Sequence, residues 1–315
     1  MSAVATNTAD AQDKPKVLVI GGGIAGTCSI FKLRKYDKDV EIVLVEPKDY
    51  CEIPWVTFRT PFDSDLAHQS VLPLAPWAKD HNVTLLRTTV TKLDDTQATC
   101  ADGTVVKFTV AVLCTGATAP WAGLGRGPLS LSKAERLAVL QAEGDKLLQA
   151  KSVCIVGGGL IGAEVAGTGD MIQAKLEKIG VKVVVDTRAE QTETGVKLIP
   201  KNTGTSEGGE QPKKEETIIP ADQVVTTIGI SAVNQSFLDS KYLDEKGWIK
   251  VEANYRVQES KNLLAVGDCC NFLMNAGNQI FANQDKIGFN IKQVLDEVLG
   301  RPNVKKLKIG GYIEV

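Results

Sequence analysis

At 315 residues, with 43% apolar and 23% charged side chains, the chain is long enough for two globular domains and a sizeable core. Its 36 basic residues nearly balance 38 acidic ones, so bulk charge gives no reason to expect a nucleic-acid partner. Only two histidines, His68 and His81, and seven scattered cysteines without a C-x-x-C pair argue against a metal centre and against a closely spaced dithiol redox centre.

Residues 1–14 are small and polar and read as a disordered lead. They lack the apolar run of a secretory signal and the arginines of a mitochondrial presequence, and Ser2 stands where N-myristoylation needs glycine. No window approaches the length of an apolar membrane span. The expected compartment is the cytoplasm, with room for peripheral membrane contact.

The stretch Lys16 to Glu46 carries the first strong signal. Lys16 to Ile20 is a short β-branched apolar run. Gly21, Gly23 and Gly26 then form G-x-G-x-x-G, a helical pattern runs from Ala25 to about Tyr36, and Glu41 to Val45 alternates into a strand that ends on Glu46. This is the dinucleotide fingerprint: one glycine for the turn, one for close approach to a pyrophosphate, one for helix–strand packing, and an acid for a ribose hydroxyl. The helix N-terminus adds partial positive charge and free N–H groups for phosphate. Beyond it lies a loop rich in proline and aromatics. There Arg59 is either a solvated surface arginine or a pyrophosphate contact through its forked donors.

Residues 82–113 alternate in short strands: Val83 to Arg87, Val90 to Leu93, a hairpin of Ala98 to Cys100 and Thr104 to Phe108 about Ala101-Asp102-Gly103, and Val110 to Leu113. The last leads into Cys114-Thr115-Gly116, a strand exit of the kind that two-dinucleotide flavoproteins show where the chain leaves the flavin domain. Residues 131–149 are helical, with Leu137, Leu140, Leu147 and Leu148 expected on one face. A strand from Lys151 to Val156 then precedes a second G-x-G-x-x-G, at Gly157, Gly159 and Gly162. Two such units imply an α/β protein of two Rossmann-like dinucleotide-binding domains, the second inserted into the first.

The second unit is irregular. Glu164 runs through Gly167-Thr168-Gly169 directly into the next segment, and two glycines interrupt a helix at about 1 kcal/mol each. A strand is expected at Val181 to Val185. Asp186 after it is either the ribose acid or an ordinary strand-end acid. Residues 187–222 are polar and rich in Gly, Lys and Glu, and within them 203–216, TGTSEGGEQPKKEE, reads as an exposed hairpin tip or loop. Gln223 to Ile228 is a strand with a second glycine exit at Gly229. Leu263 to Val266 ends in Gly267-Asp268, an acid suited to the ribityl chain of a flavin. Ala282 to Leu299 is a helix whose buried stripe is Ile287, Ile291, Val294, Leu295 and Val298. Cys269 and Cys270 are adjacent; a vicinal disulfide is a rare alternative to free thiols. Cys51 and Cys269 are read as packing residues.

Together, the two fingerprints, the Cys114-Thr115-Gly116 and Thr226-Thr227-Ile228-Gly229 exits and the Gly267-Asp268-Cys269 segment resemble the pyridine nucleotide-disulfide oxidoreductase superfamily, which binds FAD and NAD(P)H. VLVEPKDY followed by Arg59, GGGLIGAEVAG and LLAVGDCCN are more closely similar to the ferroptosis-suppressor/AMID branch of the apoptosis-inducing-factor family. The resemblance covers roughly residues 16–300. It implies an FAD-dependent NAD(P)H oxidoreductase that passes electrons to a quinone-type acceptor. FAD would touch Gly21, Gly22, Gly23, Ile24, Ala25, Gly26, Glu46, Lys48, Arg59, Val90, Gly116 and Asp268. NAD(P)H would lie over Gly157, Gly159 and Gly162, with Glu164 near the nicotinamide as the one catalytic residue. The expected domains are 15–125 with 255–315 for FAD and 126–254 for NAD(P)H. The chain departs from the family where the second domain is shortened after Gly167 and where the longer C-terminal segment is largely absent. The alternative is therefore an FAD-binding relative that does not turn over and acts as an interaction or regulatory protein. Hydride transfer through a flavin asks little of side chains, so neither a catalytic triad nor a metal is expected.

Overall fold

A computed structural model describes residues 14–57, 59–60, 63–119, 129–157, 181–184, 187–200, 217–233, 235–271 and 277–302. The chain forms two compact units: residues 1–47, 74–116 and 234–315 make the first, and 48–73 with 117–233 the second. Segments 48–73, 117–125 and 234–254 thus cluster with a different part of the chain than the sequence boundaries assigned them to.

The first unit is built on β1 (Lys16–Ile20), α1 (Ile24–Tyr36), β2 (Glu41–Val45), α2 (Leu74–Asp80), β3 (Thr84–Leu86), β4 (Val90–Leu93), β5 (Gln97–Cys100), β6 (Val105–Lys107), β7 (Val110–Leu113), β8 (Leu263–Ala265) and α3 (Gly277–Val298). Five strands form one sheet in the order β8-β7-β1-β2-β3, every neighbouring pair parallel. From β1 the chain moves outward to β2 and β3 on one side, and to β7 and β8 on the other. β1 and β7 therefore flank the point where the strand order reverses, the place at the carboxyl ends of the strands where open α/β sheets bind their ligands.

The central strands are apolar without alternation because both faces of a parallel sheet are covered. Leu18, Ile20, Val43, Val45, Ala111, Leu113, Leu263 and Ala265 share one cluster with Ala98, Cys100 and Val106 of the hairpin. Val19 instead lies against α1 at Gly26. Each fully buried Val, Leu or Ile contributes roughly 1.5–3 kcal/mol relative to exposure. The antiparallel strands β4, β5 and β6 form the expected hairpin sheet, its turn closed by Asp102 accepting from the Thr104 amide at 3.0 Å.

Helix α3 packs along α1. At their contact a Cβ on Gly288 would come within 2.7 Å of the Lys32 backbone, so a glycine is what lets the helices approach. The buried Lys32 ammonium donates to Asp285 at 2.7 Å, and Tyr36 meets Phe289 edge to face. Ile287, Ile291, Val294 and Leu295 are buried as the periodicity predicts. Val298 is exposed, since it closes the helix.

In the second unit, strands Tyr50–Glu52 and Val71–Pro73 pair antiparallel, as do Ala117–Thr118 and Ser231–Ala232. Strands Val153–Val156 and Gln223–Thr226 pair parallel. The helix Lys133–Gln149 starts at a capping box in which Ser132 and Glu135 satisfy each other's backbone amides. Its buried face is Arg136, Leu140 and Gly144, with Leu137 and Leu147 partly buried. Leu148 is exposed, contrary to the sequence expectation: at roughly 100° per residue Leu147 returns to within about 20° of Leu140 while Leu148 has turned about 80° away. Arg136, 1% exposed, forks onto the Glu52 carboxylate, with Nη2 to Oε1 at 2.7 Å.

One further expectation is corrected here. Residues 181–184 form no strand. The polar residues on either side of the expected hairpin tip supply Thr187–Thr192, Gly195–Pro200 and Thr217–Pro220, which form an antiparallel sheet. Backbone pairing across a tight turn at 193–194 sustains strands that carry little apolar pattern; residues 203–216 lie outside the described residues.

Candidate dinucleotide site

The site grows from the end of β1. There the chain must leave the strand, turn sharply and start a helix within three residues. Gly21 makes the turn with φ +107°, and a Cβ on it would sit 2.3 Å from the Cys114 carbonyl oxygen at the end of β7. Only glycine meets both demands. Gly26 lies one turn into α1, and a Cβ there would meet the Gly21 carbonyl oxygen at 2.0 Å, so helix and strand touch through it. Gly23 differs: it precedes α1, and a Cβ on it would meet nothing within 4 Å. Of the three fingerprint glycines, two are held by protein and one faces open space.

That space is suited to an anion. Helix α1 begins without a side-chain cap on Gly23 and without an acid in its first turn. The first amides of a helix have no intrahelical partner, so those of Ile24, Ala25 and Gly26 and the helix dipole are available to a phosphate. Glu46 lies buried at the end of β2 and accepts from the Gly22 amide at 2.6 Å. Its own amide donates to the Leu86 carbonyl at 3.0 Å, which fixes the acid at the carboxyl edge of the sheet. Gly21 to Gly26 and Glu46 are thus brought together as the spacing predicted, and the cradle fits a dinucleotide.

On the other side of β1, Gly116 follows β7, and Asp268 follows β8, its neighbour in the sheet. Val266 donates to Leu113 at 2.9 Å, which aligns the two exits. Beneath them Cys114 is buried, and burial, reinforced by the neighbouring Cys269, pushes its thiol well above the usual 9.0. All seven cysteines are free thiols, so Cys269 and Cys270 form no vicinal disulfide. Val90 opens β4 in the same unit and is partly buried against its core. Lys48 and Arg59 belong to the second unit, where the Lys48 ammonium lies 5.2 Å from the Tyr50 ring centre and Arg59 is an exposed turn residue.

The second fingerprint is described only at Gly157; Gly159, Gly162, Glu164 and Asp186 lie outside the described residues. Gly157 repeats the geometry of Gly21. Its φ is +123°, and a Cβ on it would meet Thr227 at 2.5 Å, as Gly21 meets Cys114. The Thr227 amide donates to the Val156 carbonyl at 2.7 Å, just as the Cys114 amide donates to Ile20 at 2.7 Å. Thr227 adds hydroxyl bonds to the Val156 and Gly157 carbonyls, each 3.2 Å. Sequence reasoning passed over Thr227, although aligning the two glycine exits identifies it. It also passed over Gln235, a buried amide that bonds Thr115 and the Cys269 carbonyl and has no local pattern to announce it.

Among the described residues no group of His, Cys, Asp and Glu is placed to hold a metal, and no helix is long and apolar enough to cross a membrane.

A glycine cradle at the switch point of a parallel sheet, repeated in outline in a second unit, defines a two-domain, FAD- and NAD-binding class of oxidoreductase fold. The sequence pattern of the pyridine nucleotide-disulphide oxidoreductases matches residues 15–169 and 168–282, and the chain belongs to that family, which uses FAD and NAD(P)H. Among curated relatives it is 24% identical over 310 residues to apoptosis-inducing factor homolog B of Dictyostelium discoideum, covering 82% of this chain and 76% of that protein. It is also 24% identical over 286 residues to ferroptosis suppressor protein 1 of Xenopus tropicalis, covering 82% and 75%. Among solved structures it is similar in fold to the sulfide:quinone oxidoreductase of Aquifex aeolicus, at TM-score 0.70 and 14% identity, covering 91% of this chain and 78% of that one.

Proposed function

We propose that the protein is an FAD-dependent NAD(P)H oxidoreductase whose electron acceptor is a quinone. The observation that carries this reading is the cradle at Gly21–Gly26 with the buried Glu46 beside it. Bound FAD would take hydride from NAD(P)H and release its electrons to the acceptor.

The chain's own residues then bind and orient. The amides at the start of α1 neutralise the pyrophosphate, and the absence of a side chain on Gly23 lets phosphate approach the backbone. Glu46 accepts from a ribose hydroxyl on the adenosine side. Gly116 would leave room beside the flavin ring, and Asp268 would bond the ribityl chain. In the second unit Gly157, Gly159 and Gly162 would hold the nicotinamide nucleotide and Glu164 would serve the nicotinamide, roles that the family resemblance implies. The quinone assignment draws on the sequence's resemblance to the ferroptosis-suppressor branch, to which the ferroptosis suppressor relative belongs by name. Steady-state NADH oxidation with a soluble ubiquinone analogue tests it. Acceptor-dependent turnover is expected, and turnover with ferricyanide but no quinone would exclude the acceptor while keeping the enzyme.

A second reading has its own support. The family match breaks at residues 168–169, beside Gly167, and 181–184 form no strand. A protein that binds FAD firmly yet is reduced by neither nicotinamide would serve as an interaction or regulatory protein.

A further inference from the structure

Gln235 is 3% exposed and lies where two loops of the first unit meet. The Thr115 hydroxyl donates to its Oε1 at 3.3 Å, and its Nε2 donates to the Cys269 carbonyl at 3.2 Å. Thr115 is the residue before Gly116, and Cys269 is the residue after Asp268. One amide therefore has its acceptor end met by the β7 exit and its donor end met by the β8 exit. Buried amides are retained where such partners exist, because an unmet donor or acceptor is costly. The same loop is held from other sides: the Cys269 carbonyl accepts from Ile249 at 3.0 Å, and the Cys269 thiol donates to the Leu113 carbonyl at 3.2 Å.

We propose that Gln235 is a positioning residue that fixes the spacing between Thr115-Gly116 and Asp268-Cys269, and so sets the affinity for the riboflavin half of FAD. The assignment rests on the flavin reading above. It is specific to one half of the dinucleotide because the sheet separates the two: β7 and β8 lie on one side of β1, and β2 with Glu46 lies on the other.

The test compares FAD with ADP as probes of the full-length apoprotein, titrated by calorimetry. Gln235→Leu keeps the bulk and removes both hydrogen bonds. FAD affinity is expected to fall about tenfold, the scale of one or two lost buried bonds, while ADP affinity stays within about twofold. Gln235→Glu keeps the acceptor for Thr115 but can donate to the Cys269 carbonyl only when protonated. Burial raises a carboxyl pKa, so its FAD affinity, relative to wild type, should be low at about pH 8 and recover toward about pH 5. Because a buried carboxylate is costly in any role, the ADP arm decides: a residue that merely fills space would lose and recover FAD and ADP affinity together, whereas a positioning residue moves FAD affinity alone. Equal losses of FAD and ADP, or unchanged FAD affinity in both variants, would overturn the assignment. A wild-type protein that binds ADP but not FAD, or neither, would overturn the flavin reading and the assignment with it.

Discussion

Gly23 and Gly26 are three residues apart, and a methyl group added to each should have opposite consequences. Gly26→Ala drives a Cβ into the Gly21 carbonyl at 2.0 Å, so the helix must shift away from β1. Overpacking of this kind costs roughly 1–3 kcal/mol, and the variant should melt lower and lose flavin. Gly23→Ala meets open space and leaves stability within about 1 kcal/mol, the scale of a poorer helix cap. It should nevertheless lose flavin, because the methyl occupies the phosphate's place. Thermal melting and the flavin-to-protein absorbance ratio of both variants check this; a Gly23→Ala protein with full flavin would contradict the cradle. At the same scale, Asp268→Ala should weaken flavin binding, whereas Glu164→Ala should slow reduction by NADH and keep the flavin, as read by absorbance before and after reductant. Most of this site was legible because close approach can be met by glycine alone, which leaves a spaced pattern in the chain. Gln235 was not, because a buried hydrogen bond between distant segments leaves no local periodicity, and Thr227 shows only when the two glycine exits are aligned.

Helices and strands follow the same division. α1, β1 and β2 emerge from the sequence at nearly their true bounds because one apolar pattern specifies both period and burial. Val298 and Leu148 were misplaced because a helix face is a few tens of degrees wide and drifts at its ends. The strands at 187–200 were missed because antiparallel pairing, unlike a buried parallel sheet, imposes little apolar pattern. Helix Lys133–Gln149 is tied to Tyr50–Glu52 by the buried Arg136–Glu52 fork, with Nη2 at 2.7 Å from Oε1. Arg136→Met strands a buried carboxylate and should cost about 3–5 kcal/mol, whereas Arg136→Met with Glu52→Leu should recover much of that loss. Urea unfolding of the single and double variants measures the difference. The α1–α3 contact should respond to pH through Lys32 and Asp285. Hydrogen bonding to Lys32 holds the Asp285 carboxyl below its ordinary 3.8, so its contribution is present above that value and fades as pH falls through the lowered one. Burial is the strongest single influence on Lys32 and opposes its charge, but the bond to and charge of Asp285, with Lys35 and Cys28, together outweigh it and leave the ammonium raised above 10.5, so that contribution is lost only as pH rises beyond that value. Between these limits the pair should be indifferent to pH. Lys32→Met should flatten the acid limb of a stability-against-pH profile, and an unchanged limb would count against the pair.

For the whole molecule, the two units carry different shares of the function. The first holds the cradle, Glu46, Gly116 and Asp268, and in the proposed function it would bind the flavin. The second repeats the turn at Gly157 against Thr227, the starting geometry of a nicotinamide nucleotide site, while the family match breaks at residues 168–169. Everything that separates an active oxidoreductase from a silent flavoprotein therefore lies in whether the second unit delivers hydride. The direct measurement is anaerobic titration of the flavin-loaded protein with NADH and with NADPH, followed at the flavin absorbance band near 450 nm, where oxidised FAD absorbs. The proposed function predicts that at least one of the two nucleotides bleaches the band with an end point of about one equivalent per flavin, since hydride carries two electrons. A band that persists with both, yet bleaches with dithionite, would contradict it.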